Sequence, residues 1–179
     1  MVCPSRFSFV LYNPIRKAFT DRTNVIALSG VTPDSVVLEV GAGNGFLTET
    51  LAEHALKVYA LELQKGMVNK LQKRVHRFGD KVEIICDDIA AYKVQEAFAD
   101  ICLMYYSFHE VGNKPEAAGN ISNAVKGNGL ISIFEPTIEV TQAGMKETIH
   151  LFKRMGFVEE IDRNGFFTRF ARLRKSVKV

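Results

Sequence analysis

The residues with the clearest chemical meaning lie in "LEVGAGNGFLTETL", where Glu39, Gly41, Gly43 and Gly45 are spaced E-x-G-x-G-x-G, with Ala42 and Asn44 between the glycines. Glycine permits positive φ and close approach of backbone to a ligand, and a helix that follows such a loop offers unpaired N–H groups. The spacing excludes two phosphate binders. A dinucleotide fingerprint needs glycine where Phe46 stands, or where Thr48 stands in the shifted frame, and no G-K-[ST] follows for a nucleotide loop. Glu39 suits a cationic ammonium, directly or through water, and would repel a pyrophosphate. A glycine turn that only packs strand on helix is the alternative. Further acids close two apolar runs: Glu62 in "YALELQ", followed by Leu63, and Asp87-Asp88 in "VEIICDDIAAY", followed by Ile89. Glu62 stands where nucleoside-binding sheets place an acid that accepts from both ribose hydroxyls, or is a solvated strand-end charge.

The elements that must hold these residues are legible as hydrophobic patterns. Continuous apolar runs rich in β-branched residues at 35–40, 57–63, 81–86, 100–106 and 130–135 predict strands buried on both faces. Helical patterns occupy 46–55, 65–78, 114–126 and 141–155; in the second, Met67, Val68, Leu71, Val75 and Phe78 form one face, and the basic residues read as solvated surface. Strand and helix alternate, which predicts an α/β fold with a doubly wound, mostly parallel sheet. At the end, Asn164-Gly165 between two strand-like runs predicts a tight antiparallel hairpin with positive φ at both turn residues. The basic run "RFARLRK" reads as an edge strand whose charges discourage further pairing.

The glycine spacing directly after a buried strand resembles motif I of the class I S-adenosylmethionine-dependent methyltransferases. The resemblance spans roughly residues 30–175. It implies a Rossmann-like seven-stranded sheet of order 3-2-1-4-5-7-6 with the last strand antiparallel, as the predicted hairpin requires. It implies S-adenosylmethionine as cofactor and S-adenosylhomocysteine as product, bound by Glu39, Gly41, Ala42, Gly43, Asn44, Gly45, Glu62, Leu63, Asp88, Ile89 and Tyr105. Asp88 would take the exocyclic amine of adenine, with Ile89 giving a backbone group and apolar packing; Asp87 is equally suited to cap a helix.

The resemblance also directs attention to the end of the fourth strand, "MYYSFHEV", where such enzymes present their catalytic motif. The prolines of [DN]-P-P-[YFW], used on adenine and glutamine amines, are absent. Around motif I the chain looks much like the rRNA adenine dimethyltransferases, but "SFHEV" is more similar to the corresponding segment of small-molecule methyltransferases. His109 and Glu110 become the acid–base candidates and Tyr106 a third catalytic candidate, with Tyr105, Tyr106 and Ser107 lining an acceptor pocket. His109 as a cap or packing group, Glu110 as a solvent-facing charge and Phe108 as a core residue are the plainer readings. Glu135-Pro136 borders the same pocket or stops the strand, and Arg16, with Tyr12 and Asn13, is placed to meet the cofactor's carboxylate or to lie on the surface.

Composition fits this picture. With 47% hydrophobic and 24% charged residues in 179, the chain reads as one domain over 1–179, with residues 1–29 a helical segment over the cofactor site. A net charge of +3 permits an anionic partner without demanding nucleic acid, and no apolar stretch is long enough for a membrane span. Cys3, Cys86 and Cys102 have no C-x-x-C spacing, which suits a reducing cytoplasm and suggests no metal site. The expected activity is methyl transfer to a small-molecule acceptor; RNA or protein methylation, or cofactor binding without catalysis, are the alternatives.

Overall fold

The computed structural model describes residues 21–177, in which seven strands form one sheet of order β3-β2-β1-β4-β5-β7-β6. The strands are β1 (Val36–Val40), β2 (Lys57–Leu61), β3 (Val82–Ile85), β4 (Ala99–Tyr105), β5 (Val125–Pro136), β6 (Phe157–Asn164) and β7 (Thr168–Lys175). Helices α1 (Arg22–Leu28), α2 (Thr48–His54), α3 (Lys65–Val75), α4 (Lys114–Ala124) and α5 (Gln142–Arg154) connect and cover them. β1 and β4 pair in parallel at the sheet centre, and their apolar side chains are buried on both faces because helices cover each side. The expected fold class and strand order are those observed.

Two cores sit on the two faces. Val25, Leu47, Leu51, Leu71 and Phe170 pack with α1, α2 and α3 on one; Phe108, Ile121, Met145 and Phe152 pack with α4 and α5 on the other. α1 is capped by Asp21, which accepts from the Asn24 amide, and Arg22 joins it to the start of α2 through the Phe46 carbonyl at 3.0 Å and Glu49 at 3.2 Å. Tyr12, Asn13 and Arg16 lie outside the described residues.

The C-terminal half corrects two expectations. β7 is not an edge: it runs antiparallel between β5 and β6, and β6 forms the border. The basic side chains of β7 instead clamp neighbours, with Arg172 and Arg174 both donating to Glu160. Nor is the hairpin a two-residue turn. Asn164 stays paired with Arg169, the loop is 165–167, and neither Asn164 nor Gly165 has positive φ. Glycine is required at 165 for closeness, since a Cβ there would lie 2.7 Å from the Thr168 carbonyl oxygen. β5 begins earlier than its apolar run predicts because Val125 already pairs with Ala99, before an irregular stretch in which Asn128 adopts positive φ.

Candidate active site

The glycine loop leaves β1 and enters α2, and its three glycines have positive φ for different reasons. A Cβ on Gly41 would lie 2.3 Å from the Ser107 Cβ, and one on Gly45 would lie 2.8 Å from Leu71 Cδ1, so both are packed against neighbouring elements. A Cβ on Gly43 would meet nothing within 4 Å. Of the three, Gly43 alone presents its bare backbone to open space, which permits close approach of a ligand. Ala42 and Asn44 are buried; Asn44 accepts from Arg74 at 3.4 Å, so these two offer a ligand backbone rather than side chain.

Of the three carboxylates, Glu39 and Glu62 are buried and Asp88 is half-buried. Glu39 is 2% exposed and accepts from the Thr48 hydroxyl at 2.6 Å. Burial first, then the charge of Glu62, raises its pKa to about 8 against the lowering effect of that hydroxyl. Glu62, just beyond β2, uses one oxygen to accept the Gly43 amide and the other to accept the Gln64 amide, each at 2.8 Å. Each oxygen keeps a further lone pair, so Glu62 can still take hydroxyl donors. Leu63 beside it is 48% exposed, an apolar surface on the same loop. Asp88 is half-buried and accepts the Ala90 amide at 2.9 Å, while Asp87 accepts the Asp88 amide and caps no helix. The side chain of Ile89 belongs to the core, so the apolar surface is Leu63, and the Ile89 carbonyl is held by Asn120 at 2.8 Å. Asn120, which also reaches the Ala90 carbonyl at 3.2 Å, carries no motif and was invisible to sequence reasoning.

The segment after β4 is drawn against this loop. The Ser107 hydroxyl donates to the Val40 carbonyl at 2.6 Å, so Ser107 locks two strand ends together. Tyr105 and Tyr106 stack at 4.3 Å, and the Tyr106 hydroxyl bonds Thr168 on the α1–α3 face. Phe108 is fully buried, and a short 3-10 turn, Phe108–Glu110, turns His109 and Glu110 toward the end of β5.

There His109 meets Glu135, which is 2% exposed and engages it twice: one oxygen accepts the His109 amide at 3.0 Å, the other lies 2.5 Å from Nδ1. Nε2 lies 2.8 Å from Glu139, delivered by a turn in which the Glu139 amide donates to the Pro136 carbonyl at 3.2 Å. Burial opposes charging the ring, yet the hydrogen bond and charge of Glu135, with Glu139 and Glu110, outweigh it and raise the His109 pKa. Burial also raises the pKa of Glu110, against the pull of His109 and with Glu139, Glu62 and Glu135 adding to it. His109, Glu110 and Glu139 place potential ligand atoms within 4.8 Å of one another, and carboxylates lie at both ring nitrogens of His109. A cavity of about 610 Å³ opens on this cluster, lined also by Lys114, Thr141, Glu147 and Arg154. Glu139 had no motif to mark it; the trace in sequence is the turn-forming Pro136 that returns a carboxylate three residues on.

The arrangement pairs a cradle for a nucleoside-like cation with a histidine flanked by acids. The methyltransferase domain family matches residues 37–129, just over half of the chain. A mitochondrial ribosomal RNA small subunit methyltransferase of Arabidopsis thaliana is 46% identical over 68 residues, covering 37% of this chain and 18% of that protein. The chain thus matches under a fifth of that relative's length. An uncharacterized methyltransferase of Geobacillus sp. (strain WCH70) is 28% identical over 152 residues, 84% of this chain and 70% of that one. A solved structure of an S-adenosylmethionine-dependent methyltransferase from Aquifex aeolicus shares the fold, with a TM-score of 0.82 at 21% identity over 97% of this chain and 99% of the other. Among the described residues no helix is long and apolar enough to cross a membrane.

Proposed function

This chain belongs to the methyltransferase domain family, and from that membership we propose that it transfers a methyl group from S-adenosylmethionine to a small-molecule acceptor. The observation that carries the reading is the open backbone at Gly43, whose amide is tied to Glu62 beside the exposed Leu63. These residues fit the cofactor: Glu62 for the ribose hydroxyls, Asp88 for the adenine amine, Leu63 for the adenine ring, and the Gly41–Gly45 backbone with Glu39 beneath it for the methionyl end. When bound, the cofactor supplies an electrophilic methyl on a sulfonium. The chain's part is to hold the acceptor's lone pair in line with that methyl, which supplies most of the acceleration in such a displacement. His109, with Glu110 beside it, takes the acceptor's proton.

The cavity at His109 supports a compact acceptor, as does the lack of an [DN]-P-P-[YFW] segment after β4. The local 46% identity to a ribosomal RNA methyltransferase favours RNA as the second reading. Calorimetry with S-adenosylmethionine and S-adenosylhomocysteine tests the cofactor; heat from neither at millimolar ligand sinks the proposal. Incubation with methyl-labelled cofactor and fractionated cell extract separates the acceptors. Label in the small-molecule pool is expected, and label confined to RNA transfers the assignment to the second reading.

A further inference from the structure

The acceptor side of the site contains a buried acid that the motif reading left without a chemical role. Glu135 ends β5, is almost wholly buried, and spends both carboxylate oxygens on one residue, His109. The bond to the His109 amide fixes the backbone, and the bond to Nδ1 fixes the ring. Neutral imidazole has one N–H, and a carboxylate 2.5 Å from Nδ1 holds that hydrogen there, leaving the lone pair on Nε2. Nε2 lies 2.8 Å from Glu139, an exposed residue on the turn after Pro136, and both residues line the cavity.

We infer that Glu135 is the positioning residue of the transfer, holding His109 with its hydrogen on Nδ1 so that Nε2 takes a proton from the acceptor, which is therefore a nucleophile bearing O–H or N–H. The inference deepens the methyl-transfer reading and rests on it. In the step, the acceptor's lone pair bonds to the methyl carbon while the carbon–sulfur bond breaks and its electron pair stays on sulfur as a thioether. The acceptor's hydrogen passes as a proton to Nε2, and the imidazolium formed lies between Glu135 and Glu139. At pH below its raised pKa, the ring is the imidazolium and the same two carboxylates accept from both its nitrogens. Once the ring is neutral, its Nε2 lone pair faces the Glu139 carboxylate and repels it, so an acceptor that donates a hydrogen bond to Nε2 displaces Glu139 outward.

The charged groups around His109 are Glu110 on its own turn, Glu135 on β5, Glu139 on the following turn, Lys114 at the start of α4, and Glu147 and Arg154 on α5. Acids stand closest, which sets the direction of the test. Nitrogen-15 histidine spectra of the full chain, with His109 assigned by its loss in His109→Gln, report both the titration and the tautomer. In the wild type the neutral ring should carry its hydrogen on Nδ1, opposite to the preference of free histidine. Glu135→Met should return the ring to the Nε2–H form. Glu135→Gln removes the charge and has one acceptor oxygen for the two N–H groups that Glu135 accepts, so it should move the titration down by about one pH unit and weaken the preference for Nδ1–H. Glu139→Gln should lower the titration and leave the tautomer unchanged. With a labelled acceptor fraction, the acid limb of the rate profile should follow the same shift in Glu135→Gln. An Nε2–H ring in the wild type, or a titration unmoved in Glu135→Gln, overturns the inference even if Glu135→Met does not fold. Stoichiometric zinc bound at Nε2 also overturns it, because a ligated nitrogen takes no proton. Calorimetry with S-adenosylhomocysteine on the same samples separates the two levels. Heat with the wrong tautomer removes the positioning role alone, whereas no heat removes the methyl-transfer reading and this role with it.

Discussion

Glu39 shows how one residue can weaken the fold while serving the site. Its folded pKa of about 8 lies above the ordinary 4.5, because burial outweighs the Thr48 hydrogen bond. Between those two values the folded protein binds a proton that the unfolded chain has lost, so stability falls as pH rises through the window. Glu39→Gln should therefore raise the melting temperature at pH 8 and give no gain at pH 4; thermal melts at both would check this. Above pH 8, where Glu39 is ionised, the same variant should weaken S-adenosylmethionine binding in calorimetry, because the methionyl ammonium loses its anion. His109 has the same slope with pH but adds stability where Glu39 removes it. Its raised pKa means that the stabilisation it draws from Glu135 and Glu139 is full below the ordinary 6.5 and is lost as pH rises through the folded value. The neutral ring that the proposed chemistry needs thus appears as this stabilisation fades. His109→Gln should lower the melting temperature at pH 6 and have little effect at pH 9.

At the scale of elements, the glycine loop separates folding from binding. Gly41→Ala drives a Cβ into Ser107 at 2.3 Å on a segment held to Val40, at a position with φ of 77°. A loss of about 2–3 kcal/mol in denaturant titrations is expected. Gly43→Val has room, so it should cost about 1–2 kcal/mol for its left-handed backbone yet abolish cofactor binding. Similar losses of binding and stability in the two variants would mean that the loop is misread. Asn120 makes a comparable link between elements: from α4 it clamps the Ile89 and Ala90 carbonyls and so shapes the loop that carries Asp88. Asn120→Ala should cost about 1–2 kcal/mol and lower affinity for S-adenosylhomocysteine, with calorimetry and urea melts as the paired readout.

Across the whole molecule, the site exists because parallel strands end together, at the edge where β1, β2, β4 and β5 deliver Gly43, Glu62, His109 and Glu135. The antiparallel β6–β7 hairpin lies alongside, and its tip exposes Phe166 at 87% and Phe167 at 75%. Replacing both with serine should change stability by no more than about 0.5 kcal/mol, which melts would verify. The sequence by itself determined the alternation of buried strands and amphipathic helices, the glycine loop, and the acids at the ends of the second and third strands. Those features depend on local period and spacing, which the chain carries at short range. Only the tertiary structure decided that the basic side chains of β7 reach Glu160, that the Tyr106 hydroxyl bonds Thr168, and that Glu39 is buried. It alone joined His109 to Glu135 and Glu139, residues 26 and 30 positions away. Such pairings arise when separate strands are brought side by side, and no local pattern in the chain encodes which distant carboxylate will face a given ring.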